Sequence, residues 1–127
     1  MKITYEQLYR SYPVLNHLLN ENLPINTTRK FAGLVASVNP HLEQIEANQN
    51  ELLQKYSEET EDGVFEIIPE KRQKFIKELE KYLQYEIIIS WNPMDIAELG
   101  ESVSISVKGL KTISYLLKDY EDVAVIG

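Results

Sequence analysis

The sequence predicts an α+β fold, mainly helical, in which a long, kinked central helix forms part of a helical hairpin beside a small antiparallel sheet of two or three strands. Three observations predict it. Phe31, Val38, Ile45 and Leu52 recur every seven residues through the middle of the chain. Leucine-rich segments with helical spacing flank that run on both sides. Short β-branched stretches, above all Glu86-Ile87-Ile88-Ile89-Ser90-Trp91, separate the later helical segments. A chain of 127 residues, 43% of them hydrophobic, fits one domain spanning 1–127 with a core of its own.

Thr4, followed three residues later by Gln7, has the pattern of a capping box opening the first helix. Leu8, Leu15, Leu18 and Leu19 share one face of that helix. Pro13 interrupts it, which predicts a kink or two short helices, with Ser11 recapping the second. Asn20 to Pro24 reads as a turn, because Leu23 precedes a proline and is biased toward extended geometry. The central helix follows over about 27–57, capped by Asn26 or Thr27. A second heptad series, Val35, Leu42, Gln49 and Tyr56, lies four residues out of phase with the first. Such a stripe either packs within its own domain against the first and third helices or pairs with a second copy as a homodimer. Pro40 predicts a bend or a split near Val38–Asn39. Gln49 places an amide on the apolar seam, where it needs a partner or an outlet to solvent.

Ser57 to Gly63 reads as a charged loop ending in an Asp62-Gly63 turn. Val64 to Ile68 is a short strand, and Pro69 is the first residue of a helix over about 69–84. Phe75, Ile76, Leu79, Tyr82 and Leu83 form the apolar face of that helix. The strand Glu86–Trp91 ends at Asn92-Pro93, and Met94 to Leu99 forms one helical turn before Gly100. Ser102 to Ser106 alternates with period two, as a half-buried strand does. A last helix over about 108–119 buries Leu110, Ile113, Leu116 and Leu117. Val123 to Ile126 is apolar, and reads as a frayed end, an added strand or a contact surface.

A formal net charge of -7 argues against a nucleic acid as the main partner, since a phosphate backbone is repelled unless a local basic face overrides the average. The candidates for a local basic face are Arg29–Lys30 and the run Lys71, Arg72, Lys74 and Lys77, and the second alternates with Glu70, Glu78 and Glu80, as a solvated helix face does. With no cysteine there is neither disulfide nor thiolate metal site, in keeping with a reducing compartment. The first residues carry no apolar signal core, and no run approaches the ~20 apolar residues needed to cross a bilayer. A soluble, cytoplasmic protein without a membrane partner is expected.

No chemistry-bearing motif emerges. The five glycines are isolated, so no phosphate loop or dinucleotide fingerprint forms, and no cofactor is expected. Two histidines fall short of the three protein ligands usual at catalytic zinc. His17, one turn before Glu21, is either a base with its orienting acid or a surface neighbour pair. His41, after Pro40, caps a bend. The loop acids Glu58, Glu59, Glu61 and Asp62 lack calcium-site spacing. They are solvated charge, a lure for a basic partner surface, or the carboxylates of a hydrolase. Tyr5, Tyr9 and Tyr12, spaced four and three apart, lie along one stripe of the first helix. That stripe is either a core edge or an exposed aromatic binding face. Trp91 either anchors the strand–helix junction or adds a smaller contact patch. The reading that results is not an enzyme but a protein binder, with Tyr5, Tyr9, Tyr12, Glu58, Glu59, Glu61, Asp62 and Trp91 as candidate partner-binding residues.

The order of motifs from Leu23-Pro24-Ile25 through Leu52-Leu53-Gln54-Lys55-Tyr56-Ser57-Glu58, Asp62-Gly63 and Phe75-Ile76-Lys77-Glu78-Leu79 resembles that of small proteins of bacteriophages and prophages of Firmicutes. An Ile-rich strand, Asn92-Pro93 and a closing Leu-rich helix complete the pattern, while Pro40 departs from its unbroken central helix. The resemblance implies a phage origin and a bacterial host cytoplasm, and it supplies no catalytic residues. A phage accessory protein that binds a host enzyme or an anti-phage defence complex stoichiometrically is the expected role. The alternative is a minor virion or assembly component of head or tail.

Overall fold

Residues 1–118 are described by the structure, a computed structural model. The predicted Val123–Ile126 segment, and the end of the last predicted helix at 119, lie outside the described residues. The fold is α+β. A first strand, β1 (Lys2–Thr4), runs directly into α1 (Tyr5–Leu19), and a five-residue turn leads into α2 (Ile25–Tyr56). Strands β2 (Ser57–Glu59) and β3 (Phe65–Ile67), helix α3 (Arg72–Leu83), strand β4 (Glu86–Ile88) and helix α4 (Val107–Thr112) follow. Short 3-10 turns occupy Pro69–Lys71, Ile96–Leu99 and Ser114–Leu116.

The capping box forms as its residues require. Thr4 Oγ1 accepts from the Gln7 amide at 3.1 Å, and Gln7 Oε1 accepts from the Thr4 amide at 3.0 Å. Pro13 does not divide α1, and Pro40 does not divide α2: each helix runs through its proline. A proline strips one hydrogen bond from the carbonyl four residues earlier. Those carbonyls belong to Tyr9 and Ala36, both exposed, so water replaces the lost donor. Packing on the opposite face then decides the outcome. Ser11 is therefore no cap. It is fully buried, and its hydroxyl bonds the Leu8 carbonyl at 3.2 Å and the Tyr115 hydroxyl at 2.6 Å.

At the start of α2 the cap position is Pro24 rather than Asn26 or Thr27. Thr27 lies inside the helix, buried, and donates its hydroxyl to the Glu98 carbonyl. A tertiary acceptor has displaced the local one. The heptads behave as a core stripe: Phe31, Val38, Ile45 and Leu52 are all buried, and Val35, Leu42 and Gln49 flank them half-buried. Each fully buried side chain of this kind contributes about 1.5–3 kcal/mol relative to exposure. Phe31, Val38 and Ile45 join Leu8, Leu15 and Leu18 of α1, Ile3 and Ile87 of the paired strands, and Met94, Leu99, Ile113, Leu116 and Leu117 of the closing segment. A smaller cluster of Leu52, Tyr56 and Phe75 sits at the far end of α2.

The strands form two separate two-stranded antiparallel sheets. In one, β1 pairs with β4 in the register Lys2–Ile88, Ile3–Ile87 and Thr4–Glu86. In the other, β2 pairs with β3, with Ser57 opposite Ile67. Thus Ser57–Glu59, expected as loop, is strand, and the expected strand at 102–106 is not one. Val103 and Ile105 do point inward as the alternation requires. Among the described residues no strand lies beside them, and the Ser104 carbonyl instead accepts from His17 Nε2 at 2.9 Å. The last helix is also shorter than expected, ending at Thr112 before a 3-10 turn, although Ile113, Leu116 and Leu117 are buried as expected.

Candidate functional site

The tyrosine stripe is split by the fold. Tyr5 is only 2% exposed, its ring tilted against Tyr82, Tyr85 and His41 at centroid distances of 5.4, 5.1 and 5.7 Å. Its hydroxyl bonds His41 Nδ1 at 3.1 Å. The position expected on a binding face is core. The physical reason is the period: residue 5 still takes its direction from β1, where Ile3 and Tyr5 share the inward face, before helical spacing takes over. Desolvation pushes the Tyr5 phenol above its ordinary range, with Tyr82 and Tyr85 adding to the rise. His41 is thereby a partner of Tyr5 rather than a cap on a bend. Tyr9, 45% exposed, and half-buried Tyr12 remain at the surface. They border a shallow groove with Pro13, Leu42, Glu46 and Gln49, which is the outlet to solvent that Gln49 requires.

Trp91 anchors a junction. Its ring stacks on Phe31 at 5.6 Å and 21°, and Nε1 donates to the Leu116 carbonyl at 3.0 Å. His17 sits beside Glu21 at 3.2 Å on the surface while donating to Ser104.

The four loop acids gather on the β2–β3 hairpin. Glu58, Glu59, Glu61 and Asp62 are all exposed, and Glu66 stands directly opposite Glu58 across the ladder. Like charges in that arrangement destabilise a sheet. The turn is closed by Thr60 N–H to the Val64 carbonyl at 2.8 Å and Gly63 N–H to the Thr60 carbonyl at 2.9 Å. Gly63 takes φ +77°, a conformation that suits glycine. Among the described residues none of these acids is held in an ion pair. Beside them Val64 and Phe65 are 54% and 66% exposed. Sequence reasoning placed Phe65 on a strand but missed its exposure. The available signal was Glu59 and Glu66 around it: a strand with acids on both its faces has no dry side.

Where the hairpin joins α2, Glu78 Oε1 accepts from the Tyr56 hydroxyl at 2.8 Å and from Lys55 Nζ at 3.2 Å. Those donors hold the Glu78 carboxyl below its usual range, the Tyr56 bond foremost.

A second surface was not foreseen. A groove runs between α2 and the segment leaving β4, with Arg29, Gly33 and Ser37 on the helical wall and Ile88, Ser90 and Trp91 on the other. Among the described residues its lining contains no carboxylate. Among the described residues, no three His, Asp or Glu side chains converge as a metal site would, and no helix is long and apolar enough to cross a membrane. Compared with known proteins, the chain matches no family model, no curated protein and no solved structure.

Proposed function

We propose that this chain is a non-enzymatic phage accessory protein that acts by stoichiometric binding to a protein of the bacterial cytoplasm, occluding a host enzyme or a defence complex. The observation that carries the binding role is the β2–β3 hairpin. It sets an exposed apolar pair, Val64 and Phe65, among five carboxylates that no internal cation neutralises among the described residues. An apolar anchor ringed by like charge suits a basic partner surface with a hydrophobic pocket: the ring speeds encounter and the anchor slows release. The cross-strand Glu58–Glu66 pair is costly in the free protein and is relieved when cations of a partner approach. The phage setting rests on the resemblance in motif order.

The test is capture from a bacterial lysate, followed by calorimetric titration of the captured protein. A one-to-one complex is expected, weakened at least tenfold by Phe65→Ser and by Glu58→Lys with Glu59→Lys, and weakened by added salt. Circular dichroism confirms that the variants fold. Turnover of a nucleotide or nucleic acid that is lost on Glu or His substitution defeats the proposal.

A further inference from the structure

Among the described residues, the β1–β4 ladder leaves one edge of β4 open. Met1 and Ile89 exchange both backbone hydrogen bonds, at 3.0 and 2.8 Å, and Tyr5 N–H reaches the Tyr85 carbonyl at 2.9 Å. Odd-numbered residues of both strands therefore carry the ladder, because hydrogen-bonded and non-bonded pairs alternate in an antiparallel ribbon. Glu86 and Ile88, paired with Thr4 and Lys2, turn their N–H and C=O groups outward. A row of outward backbone donors and acceptors at strand spacing is a template for another strand.

Three features make this edge receptive. It opens onto the groove against α2, whose lining includes no residue of β1. On the facing helix, Gly33 leaves room, since a Cβ built there meets nothing within 4 Å. And Ile88, 80% exposed, offers an apolar surface on that edge. Native proteins blunt free edges with lysine, proline or a covering element. Here the edge residues are Glu86 and Ile88, and among the described residues no element covers them.

Charge decides the occupant. In a chain of net charge -7, this groove is lined by Arg29, Lys30 and His41 and, among the described residues, by no acid, while Glu86 on the strand edge beyond it is paired with Lys2 at 3.3 Å. Lys30 is bonded to Glu98 at 2.7 Å, whereas Arg29 is exposed and in no ion pair among the described residues. We infer that the groove between α2 and β4 takes an acidic, extended peptide segment of a protein partner, which adds to β4 as a third strand and sets a carboxylate on Arg29. Main-chain hydrogen bonds to Glu86, Ile88 and Ser90 give affinity, and alternate side chains facing Leu34 and Trp91 give selectivity. The surface is separate from the hairpin, and the inference shares with the proposed function only that the partner is a protein.

The probe is a displayed library of random 12-residue peptides, panned on the full chain. Enriched peptides are expected to carry Asp or Glu among alternating apolar residues and to shift the amide resonances of Ile88 and Ser90. Gly33→Trp, which fills the groove from a position without neighbours, is expected to abolish their binding. Gly33→Ala retains it, and Arg29→Glu weakens it at least tenfold. N-methylating alternate peptide amides removes binding in one phase and spares it in the other. Three results overturn the inference: no enrichment, enriched peptides indifferent to Gly33→Trp, or a dimer of this chain that Gly33→Trp dissolves, which makes a second copy the occupant. If the captured partner binds through the hairpin while panning fails, the proposed function stands and this inference falls.

Discussion

The hydrogen bond between Ser11 and Tyr115 ties α1 to the closing segment across 104 positions of sequence, and its removal has a calculable consequence. Ser11→Ala gains helix propensity, about 0.5 kcal/mol. It strands the Tyr115 hydroxyl, which burial has already desolvated enough to push its pKa up, with the Ser11 bond opposing that rise. An unsatisfied buried hydroxyl costs about 1–3 kcal/mol. The loss wins, so Ser11→Ala destabilises by about 0.5–2.5 kcal/mol. With an unfolding entropy of about 2.1 cal/mol/K per residue, this chain melts roughly 2–9 °C lower. Tyr115→Phe costs less, about 0.5–1 kcal/mol, because Ser11 keeps its bond to the Leu8 carbonyl. The double variant is therefore less harmful than the sum, with a coupling of about 0.5–1 kcal/mol. Urea unfolding of all four proteins, followed by circular dichroism, measures the cycle. A Ser11→Ala protein at or above wild-type stability, or additive single changes, would refute the claim that this contact holds the two segments together.

Two glycines make opposite predictions under the same substitution. Gly33→Ala raises the urea midpoint, by about 0.5–1 kcal/mol in stability, because the helix gains a better former in open space. Gly100→Ala lowers it by more than about 1 kcal/mol, since φ is +81° and the new methyl meets Pro24 Cδ at 3.2 Å. Raised phenol pKa values at Tyr5, Tyr82 and Tyr115 mean that the folded state favours their neutral form. That stability is present below the ordinary tyrosine range near 10 and is lost as pH climbs through the higher folded values. Tyrosinate absorbance therefore appears late and together with unfolding. Glu78 and Glu98 have lowered values, so their contribution is present above the usual carboxylate range near 4.3 and fades as pH falls through the folded values. Glu78→Gln makes the acid limb of a pH-stability profile shallower.

What could be read from the sequence was what local chemistry determines. The Thr4–Gln7 box, the buried heptads and the inward alternation of Val103 and Ile105 all depend on neighbours a few positions away. What could not be read depended on distant partners. Lys2–Thr4 becomes strand because Glu86–Ile88 lies beside it, and Ser57–Glu59 because Phe65 returns to it; Ser102–Ser106 has no such neighbour among the described residues. The prolines misled for a related reason: their cost is fixed locally, but its offset comes from packing on the other face of each helix. Among the candidate site residues, the acids are exposed as the loop reading implies, although Glu58 and Glu59 stand on a strand. Tyr5 is not exposed, because it stands where a strand's period gives way to a helix's.

The long helix α2 belongs to two clusters of unequal size. Its 32 residues span about 48 Å, and only about the first two-thirds, to Ile45, lean on the large core. The last turns rest on the smaller cluster of Leu52, Tyr56 and Phe75, with Leu53, Ile67 and Leu79 packed against it. Unfolding of that end, with the hairpin and the start of α3, costs less than unfolding the whole. The acidic ribbon thus stands on a separately meltable foot: a partner that grips it can loosen this end, or lock it, while the ladder at the other end stays closed. Amide exchange at 52–75 reports which of the two a bound partner does.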